Sequence, residues 1–187
     1  MNQPLDVLKT HWKHDAFRPT QEEIINTVLA GKDTFALLPT GGGKSICFQI
    51  PALLKPGICL VISPLVALMK DQVENLKQKN IKAIALTGGI SFEETNNLLD
   101  NCAFGGYKFL YVSPERLQQD WVLERIKNLN VNLVAIDEAH CISQWGHDFR
   151  PAYLKISELK EYFHVPFIAL TATATPRVQN DICTLLQ

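Results

Sequence analysis

The sequence predicts an α/β domain, a mostly parallel β-sheet with helices on both faces, and three observations carry that prediction. Short continuous apolar runs alternate with amphipathic stretches along most of the chain, the pattern of strands buried on both faces and of the helices that cover them. The loops of unusual composition fall just beyond those apolar runs, at the edge of a parallel sheet where ligands are held. At 187 residues, with 47% hydrophobic and 20% charged residues, the chain has the size and composition of one domain able to bury a core.

Residues 1 to 32 read as an amphipathic preamble. Leu5, Val7, Leu8 and Trp12 recur at helical spacing, Phe17-Arg18-Pro19-Thr20 breaks the pattern, and Gln21 to Leu29 resumes it with Ile24, Ile25, Val28 and Leu29 on one face. Thr20 followed by Glu23 has the form of a capping box, and Gly31-Lys32-Asp33 closes the helix. From there the expected strands are Thr34–Leu38, Ile58–Ile62, Ala83–Leu86, Phe109–Val112, Leu133–Ile136 and Phe167–Leu170. The helices expected between and after them are Ser45–Leu53, Val66–Lys79, Phe92–Asn101, Pro114–Asn128, Tyr153–Phe163 and Pro176–Leu186. Thr175 caps the last of these, and Pro176 suits its first position.

The first strand runs into Leu37-Leu38-Pro39-Thr40-Gly41-Gly42-Gly43-Lys44-Ser45. Strand, glycine-rich turn and helix N-terminus together let consecutive backbone N–H groups converge on a phosphate, with the helix dipole adding positive potential. A strict P-loop has glycine where Leu38 stands, so the pattern departs at its first residue. What remains still supplies free φ angles, close backbone approach and a Lys/Ser pair. Lys44 would reach the β- and γ-phosphates, and the Ser45 hydroxyl would ligate Mg²⁺. The competing reading is a glycine-rich surface turn.

Asp137-Glu138-Ala139-His140 directly follows a buried-strand signature. Beside a phosphate loop, Asp137 belongs on the Mg²⁺ ion and Glu138 stands where it would orient and deprotonate a water. An acidic pair at a strand end on the surface is the competing reading. The formal net charge of −1 rules out a global basic field, so any nucleic-acid surface has to be local. Cys47, Cys59, Cys102, Cys141 and Cys183 lack metal-ligand or redox spacing and read as reduced thiols. With no leader pattern at Met1–Asp6 and no apolar run of membrane length, the expected location is cytoplasmic (the nucleoid) or nuclear, without a membrane partner.

These motifs together resemble the first RecA-like domain of superfamily 2 helicases, a P-loop NTPase fold, and further stretches narrow the resemblance to the RecQ family of DNA helicases. They are Phe17-Arg18-Pro19-Thr20-Gln21, Val61-Ile62-Ser63-Pro64-Leu65, Tyr111-Val112-Ser113-Pro114-Glu115, Cys141 through Pro151 and Ala169-Leu170-Thr171-Ala172-Thr173-Ala174. The resemblance covers nearly the whole chain and implies a 3′-to-5′ DNA-unwinding ATPase that uses ATP and Mg²⁺. It makes residues 1–187 the first RecA-like domain, with 1–32 as an adenine-recognition segment in which Gln21 reads the base edge, Arg18 lies near base or phosphate, and His14 stacks on the ring. Ser63, Pro64, Ser113 and Pro114 would contact a DNA strand, with Lys70 and Arg116 as possible cationic helpers, for each of which a solvated helix face is the competing reading.

The same resemblance gives Trp145, His147, Phe149 and Arg150 a role in stacking on unpaired bases and relaying DNA occupancy to the ATP site. Either aromatic of that loop, Trp145 or Phe149, has burial in the core as its competing reading. Thr171 and Thr173 would link Asp137 and Glu138 to the DNA side. A second RecA-like domain, supplying arginines to the γ-phosphate, is not found in this sequence, so the chain is expected to be a half-motor with little turnover of its own. Two alternatives stay open at this point: another superfamily 2 motor such as an RNA helicase, and a non-catalytic nucleotide-binding module.

Overall fold

The computed structural model describes residues 3–39 and 43–187. Six strands, β1 (Thr34–Leu37), β2 (Ile58–Ile62), β3 (Ala83–Leu86), β4 (Phe109–Val112), β5 (Val131–Ile136) and β6 (Phe167–Thr171), alternate with helices. The helices are α1 (Pro4–Val7), α2 (Gln21–Leu29), α3 (Ile46–Leu53), α4 (Val66–Gln78), α5 (Phe92–Phe104), α6 (Pro114–Leu117), α7 (Asp120–Lys127) and α8 (Pro176–Leu185). A π-helical turn spans Leu8–Trp12, and 3₁₀ segments span Ala139–Ile142 and Pro151–Glu161. The sheet order is β1-β6-β5-β2-β4-β3, and every pairing among the described residues is parallel.

The continuous apolar strands follow from the two layers they serve. Successive strand side chains point to opposite faces, and here both faces are covered. Leu60, Ile62, Val112, Val134, Ile136 and Ala169 pack with Leu99 of α5, Val122 and Ile126 of α7, Ile156 of the second 3₁₀ segment and Ile182 of α8. Their neighbours Cys59, Val61, Tyr111, Leu133, Ala135 and Leu170 pack with Val28 of α2, Phe48 of α3, and Met69 and Leu76 of α4. Val7, Leu8 and Ile25 join Ile46 and Ile50 in a smaller cluster that ties the N-terminal helices to α3.

Register brings the strand ends into one row. Leu86, Val112, Ile62, Ile136 and Ala169 are successive partners across five strands, and Leu37 pairs with Thr171 at the edge. The loops that follow therefore open on the same side. β5 begins two residues earlier than its apolar run suggested, because the β2 pairing shifts register between Ile58 and Cys59. Asn132 lies in that irregularity, and its amide donates to the carbonyls of Ala52 and Lys55 at 3.1 and 3.3 Å, closing the C-terminal end of α3.

Several local expectations are corrected. Thr20 does not cap α2: its φ of 71° is left-handed and its hydroxyl donates to the Pro19 carbonyl at 2.6 Å. Capping boxes form instead at Gln3, with Asp6, at the start of α1, and at Ser91, with Glu94, at the start of α5. The single helix expected over Pro114–Asn128 is two, divided where Gln119 adopts an extended backbone ahead of Asp120. Ser113 caps the first, its Oγ accepting the Arg116 N–H at 3.2 Å.

The helix expected over Tyr153–Phe163 is a 3₁₀ run. Its buried residues Tyr153, Ile156 and Leu159 recur every third position, the spacing that a three-residue turn aligns on one face. Thr175 does cap α8, accepting the Val178 N–H at 3.4 Å.

Cys47, Cys59, Cys102 and Cys141 are buried and Cys183 is exposed. Burial pushes the Cys47, Cys102 and Cys141 thiols up to about 12. Ellman's reagent at neutral pH is therefore expected to titrate one thiol of the native chain rapidly and the other four only on unfolding; a second fast thiol would contradict this packing.

Candidate active site

The row of strand ends carries two adjacent carboxylates that face one ammonium. Lys44 Nζ lies 3.4 Å from Glu138 Oε1 and 3.7 Å from Asp137 Oδ1. In an extended strand, neighbouring side chains would point to opposite faces. Glu138 leaves the strand with a φ of 51°, a left-handed conformation that costs a non-glycine residue about 1–2 kcal/mol. The Glu138 N–H donates to Asp137 Oδ1 at 2.9 Å, and the Asp137 carbonyl accepts the Tyr153 hydroxyl at 2.9 Å. The kink turns both carboxylates to the same side and is held from beneath by the 3₁₀ run.

Asp137 is 5% exposed. Burial raises its carboxyl above the usual carboxylate range, while the Lys44 ammonium opposes that shift. The site therefore stores an acidic group whose charged form is stabilised by cations brought near it.

Thr40, Gly41 and Gly42, expected to bind phosphate, lie outside the described residues. Gly43 is described, and its environment explains the residue choice. Its φ is +74°, and a Cβ there would collide with the Gln21 amide nitrogen. Gln21, only 2% exposed, donates from that nitrogen to the Gly43 carbonyl at 3.1 Å and accepts the Arg18 N–H at 2.8 Å. The side chain expected to read a base thus also fastens the N-terminal segment to Gly43. Ser45 immediately precedes α3, which begins at Ile46. His14 and Arg18 are both exposed, on the segment leading to α2. A cavity of about 380 Å³ beside them is lined by Asp15, Phe17, Arg18, Glu22 and Glu23.

A polar chain runs from Glu138 toward β6. His140 Nδ1 lies 2.7 Å from Thr171 Oγ1 and 3.4 Å from Glu138 Oε2. With a carboxylate that close, Nδ1 carries the proton and Thr171 accepts it. Thr171 Oγ1 also accepts the Thr173 N–H and donates to the Thr173 carbonyl, each at 3.2 Å. The expected link from Asp137 and Glu138 to the threonines is corrected in one respect: it runs through His140, and Thr173 contributes backbone groups. His140 stands in the Asp137–His140 motif without an expected role, and a histidine close behind two acidic residues is the sequence signal for the one it has here.

The loop after this segment is partly as expected. Trp145 is 62% exposed, which excludes a core role, and Phe149 is half-buried. His147 is exposed and stacks on His140 with ring centroids 4.6 Å apart. Arg150 lies 3.7 Å from Asp148, to which the Cys141 thiol also donates at 3.7 Å. His140, Cys141 and Asp148 have ligand atoms within 4.8 Å of one another, but the Arg150 guanidinium and the Thr171 bond already occupy two of them.

Ser63 is buried at the end of β2 with its Oγ lacking a hydrogen-bond partner among the described residues, and Pro64 follows half-buried. Pro114 is buried as the first residue of α6. Arg116 is half-buried and donates to Thr87 O, Thr95 Oγ1 and Gln119 Oε1. Lys70 is exposed on α4. A larger cavity, of about 660 Å³, lies around Gly57, Leu99, Phe104, Tyr107 and Lys108 and touches none of these residues.

Two consequences are measurable. Gly43→Ala is expected to lower the melting temperature more than Gly31→Ala, since Gly31 has a similar φ of +83° but nothing near its Cβ position; equal losses would remove the Gln21 clash. Burial lowers the His140 pKa below its ordinary 6.5, so below 6.5 the unfolded chain binds the proton more readily than the native one. Stability present above 6.5 is lost as pH falls, and the wild type should lose it more steeply than His140→Gln; parallel denaturation profiles would contradict this.

A family model described as DEAD/DEAH box helicase matches residues 18–182. The chain is 49% identical over 174 residues to a probable ATP-dependent DNA helicase RecS of Bacillus subtilis, covering 92% of this chain and 35% of that protein. It is 48% identical over 179 residues to an ATP-dependent DNA helicase RecQ of Pasteurella multocida, covering 95% and 28%. The chain thus spans about a third of the length of these relatives. Among solved structures, the Hef helicase domain of Pyrococcus furiosus is similar with a TM-score of 0.70 and 26% identity, over 90% of this chain and 36% of that one.

Proposed function

The chain belongs to the DEAD/DEAH box helicase family, and from that premise we propose that it is the ATP-binding and hydrolysing motor domain of a RecQ-like DNA helicase, which couples ATP hydrolysis to movement along single-stranded DNA and to 3′-to-5′ duplex unwinding. The observation that carries this reading is the convergence of Lys44, Asp137 and Glu138 at the common edge of a parallel sheet.

In this reading residues 40–45, Lys44 among them, bind the phosphates, and binding draws Lys44 away from the two carboxylates. The donor set fits a hard divalent cation: a buried carboxylate on Asp137, and a hydroxyl on Ser45 at the head of α3. Bound Mg²⁺ would neutralise charge on the phosphate oxygens. Glu138, freed from Lys44, orients and deprotonates the attacking water, with His140 holding its other oxygen in place. Gln21 and Arg18 recognise the base side of the nucleotide, with His14 against the ring.

DNA would cross the same edge, along Ser63, Pro64, Ser113 and Pro114, and reach the aromatic loop at Trp145, His147, Phe149 and Arg150. Thr171 and Thr173 then lie between that loop and Glu138. An exposed tryptophan suits unpaired bases because every base has a π-face, which favours DNA translocation over a purely nucleotide-binding role. No helix of the described residues is long and apolar enough to cross a membrane, and a DNA motor works in the nucleoid or the nucleus. A second RecA-like domain would supply the cation for the γ-phosphate, an addition worth roughly 10³ to 10⁵ in turnover.

The test is ATP titration and steady-state hydrolysis by this chain, with and without single-stranded DNA. Nucleotide should bind with turnover near background, and Lys44→Ala should abolish binding. In the parent protein Glu138→Gln should retain nucleotide and lose hydrolysis. Unchanged hydrolysis in Glu138→Gln would refute the base assignment, and brisk turnover by this chain alone would refute the need for a second domain.

A further inference from the structure

Helix α8 grips the aromatic loop at two points. The Arg177 guanidinium lies 3.4 Å from the centroid of the Trp145 ring, and the Ser143 hydroxyl donates to Asp181 Oδ2 at 2.6 Å. Arg177 and Asp181 are four residues apart and so share one face of the helix. Ser143 Oγ in turn accepts the Trp145 N–H at 3.1 Å, which couples the two grips. Neither contact is used by the nucleotide chemistry above.

We propose that Arg177 and Asp181 latch the 143–147 loop in the DNA-free chain, covering the ring face of Trp145 that an unpaired base would use, and that binding of a single strand displaces Arg177. This inference rests on the DNA-motor reading. The physical basis is competition for one π-face. A guanidinium over an exposed tryptophan is held weakly, because water competes for it, whereas base–aromatic stacking removes more apolar area and is the stronger contact. A base therefore wins the ring, and the guanidinium is displaced from it.

The latch has a route to the reacting edge. His147 stacks on His140, and a Cβ at Gly146 would sit 3.0 Å from the His140 carbonyl, so the loop packs directly on that residue. His140 faces Glu138 Oε2. Releasing Ser143 and Trp145 from α8 thus changes the packing around the group that holds Glu138. Arg177 and Asp181 are positioning residues in this account, acting through the loop.

The sign of the effect separates this role from a simple phosphate contact. A cation that binds DNA backbone weakens binding when removed; a latch strengthens it. The probe is a fluorescein-labelled oligothymidylate, with the chain labelled with 5-fluorotryptophan and the Trp145 ¹⁹F resonance assigned from Trp145→Phe. Arg177→Ala should shift that resonance without DNA and tighten oligothymidylate binding about two- to fivefold, the span expected for loss of an exposed cation–π contact. Ser143→Ala, which alters no charge, should tighten binding in the same direction, and Arg177→Lys should restore part of the wild-type behaviour.

If Trp145→Ala binds as tightly as the wild type, or the wild type does not bind, the base-stacking reading itself fails. If Trp145→Ala binds more weakly while Arg177→Ala and Ser143→Ala bind no tighter than wild type, that reading stands and the latch is overturned.

Discussion

The site depends on one backbone constraint, the left-handed turn at Glu138 where β5 ends. Two consecutive carboxylates on a strand diverge, and only by leaving strand geometry can both meet Lys44. That conformation is unfavourable by itself and is held by its neighbours. The Asp137 side chain takes the Glu138 N–H, Tyr153 takes the Asp137 carbonyl, and His140 packs behind Glu138. Strain concentrated at such a residue is what a pre-organised site requires, and the rest of the domain supplies the packing that maintains it.

The parallel sheet makes this affordable. Because all strands run the same way, their ends and following loops share one edge, and the apolar layers on both faces hold those ends in register. Lys44 follows the edge strand β1, while Asp137 follows β5, with β6 between them. The β6 end fills the gap with Thr171, whose hydroxyl serves His140 and the Thr173 backbone. A single row of strand ends thereby holds an ammonium, two carboxylates, an imidazole and a hydroxyl within reach of one another.

The N-terminal segment and α8 attach to this edge from opposite ends of the chain. Gln21 bonds the Gly43 carbonyl and requires the bare Cα there, so the segment expected to recognise a base is in contact with the loop expected to hold the phosphates. α8, formed around Val178 and Ile182 against the sheet, turns its polar Arg177 and Asp181 to the aromatic loop. Both arrangements tie the loops at this edge to segments that are far apart from them in sequence.

The sequence by itself determined the alternation of strands and helices, the parallel sheet, and the set of loops at its edge. Those follow from hydrophobic periodicity, which is a local property of the chain. It also supplied Lys44, Asp137, Glu138 and the aromatic at 145, because their motifs are contiguous, but left open whether that aromatic is buried. Only the tertiary structure decided how they meet: that Glu138 turns left-handed, that His140 is the link to Thr171, and that Arg116 bonds Thr87 and Thr95. It also decided that Thr20 caps nothing and that Arg177 covers Trp145. Each of these is settled by a partner distant in the chain or by a backbone angle selected by packing, and neither leaves a mark on the spacing of neighbouring residues. The 3₁₀ run lies between the two cases, since the three-residue repeat of Tyr153, Ile156 and Leu159 was present to be read, but its short apolar pattern overlaps that of an α-helix until the sheet it packs on is known.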